Sequence, residues 1–227
     1  MFRDHIAYLS HLEAMALNED LAQYYLWPRT PIRATLQEEI IRCVGVSDFD
    51  LSQEHSRPSQ IIRFIWRLLR ADLIGGNFSV LDLPCGDAVV LWQVKKTFEL
   101  ANCYGLDCNK GVYETHEMAQ REGVVLYRAF LQHVFSFEPP EPFDLAIMLN
   151  TYRGWRSADL RQHEQNLPEL ANYWFGKNAR FTILTATDVQ VDHLHNLGFL
   201  TAELGKGEHD SKMICISRSC LPELENS

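Results

Sequence analysis

Positive charge is scarce in this sequence: 21 Lys and Arg stand against 30 Asp and Glu, for a formal net charge of −9. Phosphate backbones are held by concentrated Lys and Arg, so this balance disfavours a nucleic-acid partner. Six cysteines, at positions 43, 85, 103, 108, 215 and 220, form no Cys-x-x-Cys pair and no compact Cys/His cluster. No metal site is therefore expected, and reduced, mostly buried thiols of a cytoplasmic protein are. The first twenty residues carry charges throughout and have no long apolar core, so neither a signal peptide nor a membrane anchor is expected. Internal repeats and low-complexity tracts are absent. So is the Gly-x-Gly-x-x-Gly spacing that a dinucleotide-binding turn would show.

What is present suits a soluble globular chain. The 227 residues, 46% of them hydrophobic, suffice for one large domain or a domain with an appendage. Residues 1–76 carry no convincing strand and read as an N-terminal helical cap, with a second unit over 77–227. In "HIAYLSHLEAMAL", Ile6, Leu9, Leu12 and Ala16 recur at helical spacing. "ATLQEEIIRCV" reads as a second helix. A third runs through "SRPSQIIRFIWRLLRADLIGG", with Ser56 as cap, Pro58 in the first turn and Gly75-Gly76 as the stop. Its Arg63, Arg67 and Arg70 share a face that reads as solvated.

From Phe78 strands and helices alternate. "FSVLDL", "CYGLD", "VVLYRAF", "FDLAIML" and "RFTILTA" read as strands separated by helical stretches, and "FLTAEL" and "KMICISR" as a closing pair. The alternation predicts a mostly parallel sheet covered on both faces, a three-layer α/β sandwich. Only "GKGEHD" joins the last two strands, too short for a parallel crossover, so they form an antiparallel hairpin.

In such a sheet ligands bind beyond the carboxyl ends of the strands. "VLDLPCGDA" ends a strand in Asp82 and passes through Pro84, Gly86, Asp87 and Ala88, small or turn-forming residues that let backbone approach a ligand. Asp107 ends the next strand, 21 residues beyond Gly86, where a carboxylate can accept two ribose hydroxyls. Acids at both strand ends are hard to explain by packing, since a buried charge needs a partner.

With these residues in order, 78–218 resembles a class I S-adenosylmethionine-dependent methyltransferase, a Rossmann-like superfamily. "VLDLPCGDA" resembles its first, glycine-rich motif, "YGLDCN" its ribose-binding motif, "FDLAIMLN" its fourth strand and "LHNLGFLTAEL" its C-terminal signature. Pro84 and Ala88 stand where the superfamily has glycines. The resemblance implies S-adenosyl-L-methionine as cofactor, with Asp82 on its ammonium group and Asp107, followed by Cys108, on the ribose. It also implies adenine contacts after strand three, where "RAFLQHVF" has no acid and offers Phe130, Leu131 and Gln132 instead.

Methyl transfer aligns a nucleophile with methyl and sulfur and removes a proton where one must go. "NTYRGW" after strand four supplies Asn150, Tyr152 and Arg153; the hairpin supplies His209; His133 follows strand three. His116, His163, His193 and His195 fall on helices, where surface or satisfied roles are expected. The reading is a methyltransferase acting on an O or N atom of a small molecule, with no membrane partner and a homodimer left open. A protein or RNA methyltransferase and a non-catalytic binding module are the alternatives.

Overall fold

The computed structural model of the chain describes residues 2–18, 57–107, 110, 114–130, 133–134, 137–149, 176–207 and 211–222. The expected helices within 34–44 and 158–175 lie outside the described residues.

Each expected strand forms. β1 (Ser79–Asp82), β2 (Asn102–Asp107), β3 (Val125–Arg128), β4 (Phe143–Met148), β5 (Ala179–Ala186), β6 (Leu200–Lys206) and β7 (Lys212–Ser217) make one sheet in the order β3-β2-β1-β4-β5-β7-β6. The first five are mutually parallel, and β7 lies antiparallel between β5 and β6. β1 and β4 are buried almost throughout, as the continuous apolar runs of a sheet covered on both faces require. Side chains alternate between two apolar layers: Leu81, Tyr104, Ala146 and Met148 face one, while Val80, Cys103, Leu145 and Ile147 face the other.

Helices fill both layers. α1 (Phe2–Asn18) lies on the first face, and α2 (Arg57–Arg70), α3 (Val89–Thr97) and α4 (Glu114–Arg121) lie on the second. Gly176–Asn178 forms one short turn, α5, before β5, and α6 (Asp188–Asn196) sets Leu194 into the first layer. Among the described residues, no helix is long and apolar enough to cross a membrane.

The two N-terminal helices belong to the sandwich rather than lying beside it. α1 contributes Tyr8, Leu9 and Leu12 to the first core layer, and α2 contributes Ile61, Ile62, Phe64, Ile65 and Leu68 to the second. The buried stripe of α1 is His5, Tyr8, Leu9, Leu12 and Ala16, whereas Ile6 is 43% exposed. Rings take the place of the expected isoleucine because His5 stacks on Phe143, centroids 4.1 Å apart and planes 13° from parallel. α2 stops at Arg70, short of Gly75. Asp72 takes a left-handed φ of 54°, and the Leu73 N–H donates to the Leu68 carbonyl (2.9 Å), which closes the helix in a Schellman turn.

The directions of these helices matter for the site. His5 bonds the Glu141 carbonyl (2.9 Å) before β4 begins, while Glu13 accepts from the Arg128 N–H (3.1 Å) where β3 ends. α1 therefore runs from the amino edge of the sheet to the carboxyl edge. α2 runs back: Gln60, in its first turn, packs against Gly205 near the end of β6, and the chain after Arg70 leads to Phe78 before β1.

Candidate cofactor site at the carboxyl edge

Strand order reverses at β1, which lies between β2 and β4, and the turn after β1 sits at that point. Five of its N–H groups are tied within the protein. The Leu83 N–H donates to the Ile147 carbonyl (2.9 Å) on β4, and the Cys85 N–H to the Leu106 carbonyl (3.0 Å) on β2. The Gly86 N–H donates to Asp107 Oδ2 (2.9 Å), the Ala88 N–H to the Cys85 carbonyl (2.8 Å), and the Val89 N–H to Asp87 Oδ1 (3.2 Å). Pro84, after a cis peptide, has no N–H to offer. Gly86 and Ala88 both take left-handed φ values, 52° and 60°.

Gly105 lets this turn lie flat on β2. A Cβ there would come within 2.6 Å of Leu126, 2.8 Å of Cys85 Sγ and 2.9 Å of Leu91. From the other side α4 reaches in: Thr115 Oγ1 donates to the Asp87 carbonyl (2.6 Å), and His116 Nε2 lies 2.7 Å from the Gly86 carbonyl. A carbonyl can only accept, so that ring nitrogen carries the proton.

The electrostatics run one way. Asp82 and Asp107 are buried. Burial pushes the Asp82 carboxyl well above its ordinary range, the neighbouring Asp87 and Asp107 push it further, and the Leu83 N–H offsets part of this. Burial also raises Asp87, which the Val89 N–H and His116 draw back. Among the described residues, the ion pairs include neither Asp82 nor Asp87. Cys85 shares the turn, but burial and then Asp107 raise its thiol well above the ordinary range. It is no nucleophile.

This arrangement is suited to a ligand with positive charge and hydroxyl groups. A phosphate would meet three carboxylates and a turn most of whose N–H groups are already engaged.

The expected residues distribute as follows. Asp82, Pro84, Gly86, Asp87, Ala88 and Asp107 converge in one turn and the strand end beside it. Phe130 and His133 are buried after β3, ring centroids 6.0 Å apart, and the Ala129 N–H bonds the Asp107 carbonyl (3.3 Å), so this segment borders the same end of β2. Cys108, Leu131, Gln132, Asn150, Tyr152, Arg153 and His209 lie outside the described residues. The β6–β7 connection is pinched by a bond from the Gly207 N–H to the Ser211 carbonyl (2.8 Å).

His195 bonds Thr201 (2.7 Å) near the surface, as its place on a helix suggests. Thr115 and His116 are the residues that the sequence reading passed over. His116 is buried and hydrogen-bonded, as expected of a helical histidine, yet its partner is the turn itself.

No protein-family description matches the chain, and neither does any curated relative. Solved structures do. The bifunctional kinase-methyltransferase WbdD superposes with a TM-score of 0.55 at 18% identity, over 78% of this chain and 42% of that one. This chain thus spans less than half of WbdD. The methyltransferase domain of bacterial-CtHen1-CN is also similar, with a TM-score of 0.48, 15% identity, 74% of this chain and 100% of that one. Precorrin-6y C5,15-methyltransferase from Geobacter metallireducens GS-15 gives 0.46 and 12%, over 71% and 87%. What this chain shares with WbdD is the fold, a Rossmann-like methyltransferase fold.

Proposed function

We propose that this chain is an S-adenosylmethionine-dependent methyltransferase acting on an O or N atom of a small molecule. The observation that carries the reading is the acid cluster in the β1 turn: Asp82, Asp87 and Asp107 are held close, largely out of water, around backbone donors most of which are already spent. Such a site takes a ligand that brings an ammonium group and hydroxyls, and S-adenosylmethionine carries both. Asp82 would hold the amino group and Asp107 the ribose, with one of its oxygens kept for the Gly86 N–H. Pro84, Gly86, Asp87 and Ala88 would lie along the methionine portion. Cys108, Phe130, Leu131 and Gln132 would border the nucleoside, and Asn150 the methyl. When bound, the cofactor supplies an electrophilic methyl on a sulfonium.

For the acceptor, Tyr152 and Arg153 after β4 are proposed to orient the nucleophile and pair with an anionic or carbonyl group, with His209 and His133 as further bases. The N-terminal helical cap over 1–76 is proposed to cover the active site. The support is that α1 ends and α2 begins at the carboxyl edge of the sheet. A net charge of −9 suits a small acceptor better than RNA. The free thiols Cys85, Cys103 and Cys215 support a cytoplasmic location.

Titration calorimetry with S-adenosylmethionine and S-adenosylhomocysteine tests the reading. Binding of both supports it, and a folded protein that binds neither ends it. Once an acceptor is found, Tyr152→Phe and Arg153→Ala should lower turnover more than cofactor affinity. Loss of turnover in His209→Ala alone would move the chemistry to the hairpin.

A further inference from the structure

We infer that Thr115 and His116 form a clamp that sets the shape of the cofactor turn and, through it, the orientation of Asp107. The inference rests on the function proposed above and names positioning residues for that site. Two consecutive side chains on α4 hold two consecutive carbonyls, Thr115 on Asp87 (2.6 Å) and His116 on Gly86 (2.7 Å), and both side chains are buried.

The turn needs such support. Ala88 sits at a φ of 60° with no side-chain cap on α3, a conformation strained for a residue with a Cβ. Left to local preference, Ala88 would relax towards negative φ and drag the turn, with the Gly86 N–H, away from Asp107. The clamp opposes this because Gly86 is gripped on both sides, its N–H by the carboxylate at the end of β2 and its carbonyl by the imidazole from α4. The turn is also the route by which α4 acts on Asp107. Neither Thr115 nor His116 needs to touch the cofactor for their loss to be felt in its binding.

The test compares variants that keep the donor with variants that remove it. Thr115→Ser and His116→Gln retain a hydroxyl and an N–H at similar reach; Thr115→Val and His116→Leu keep the bulk and lose the donor. The clamp predicts that Thr115→Val and His116→Leu weaken S-adenosylhomocysteine binding roughly tenfold or more, the equivalent of one buried hydrogen bond. Thr115→Ser and His116→Gln should stay within about threefold of wild type on the same scale. Hydrogen exchange, read without ligand, should show the Gly86 amide less protected in Thr115→Val and His116→Leu only. Wild-type affinity in folded Thr115→Val and His116→Leu would overturn the inference. So would equal weakening in Thr115→Ser and His116→Gln, which would mean that packing alone matters. If wild-type protein binds no S-adenosylhomocysteine, the functional reading fails, while the exchange comparison still decides whether α4 holds the turn.

Discussion

Two aspartates on neighbouring strands differ in how their charge is met: one builds the sheet, and the other is the acid proposed to serve a ligand. Asp144, at the amino edge on β4, is saturated by protein. It accepts from the Ser79 N–H (2.9 Å) and Ser79 hydroxyl (3.2 Å) and pairs with the Arg180 guanidinium (3.4 Å). Asp82, at the carboxyl edge on β1, is buried among like charges and held above the ordinary carboxylate range. Both ends of the sheet carry acids, but among the described residues no ion pair meets Asp82. A third case lies at the same carboxyl edge, where Lys212 pairs with Asp188 (3.0 Å) and Glu203 (3.3 Å) in solvent. Position at the carboxyl edge alone does not set an acid apart; burial with no ion pair among the described residues does, and on that basis Asp82 is proposed as a ligand group.

The comparison breaks most sharply on Asp82→Asn. The amide removes a buried charge, so the ligand-free protein should melt at or above the wild-type temperature. Affinity for S-adenosylhomocysteine should fall by ~1.5–3 kcal/mol as a charge-assisted bond is lost. Opposite signs in scanning fluorimetry and calorimetry are the expected signature, and a parallel loss in both would return Asp82 to a structural role. Asp144→Ala should do the reverse. Leaving the Ser79 N–H without its acceptor costs ~1–3 kcal/mol of stability in chemical denaturation, while the cofactor affinity of the folded variant holds.

Acidity sharpens the contrast. The folded-state values of Asp82 and Asp87 lie above their ordinary 3.8, so their contribution to stability is full below that value. It is lost as pH rises through the raised values. Melting of ligand-free protein should therefore lose this contribution as pH climbs above about 4. The melting gain from S-adenosylhomocysteine should grow over the same interval, because an ammonium group pairs only with ionised carboxylates. Asp82→Asn should flatten both trends. The smallest effect belongs to Lys212→Ala: an exposed pair screened by water should leave melting and affinity near wild type.

Much of this was legible in the sequence because the physics behind it is local. Runs such as "SVLD" and "FDLAIM" announce strands buried on both faces, and the brevity of "GKGEHD" forces the closing hairpin. The acids at 82 and 107 are visible by their spacing. The rest depends on packing between distant segments. Nothing in "HIAYLSHLEAMAL" says that His5 will stack on Phe143, so the apolar period selects Ile6, which the fold leaves exposed. His116 reads as a satisfied helical histidine, and it is one. That its acceptor is Gly86, 30 residues away, follows only once α4 is laid against the turn.

The placement of α1 also has a consequence for how the chain reaches its native state. Its partners are made late: Glu13 meets Arg128 across 115 residues and His5 meets Glu141 across 136. During synthesis at ~5–20 residues per second, the apolar stripe of α1 emerges roughly 6–27 seconds before the strands that will cover it. High sequence separation of this kind slows folding, since loop closure must be met before the contact stabilises anything. α1 can thus dock only after β3 and β4 are made, and until it does Tyr104 and Phe143 lack the ring of His5.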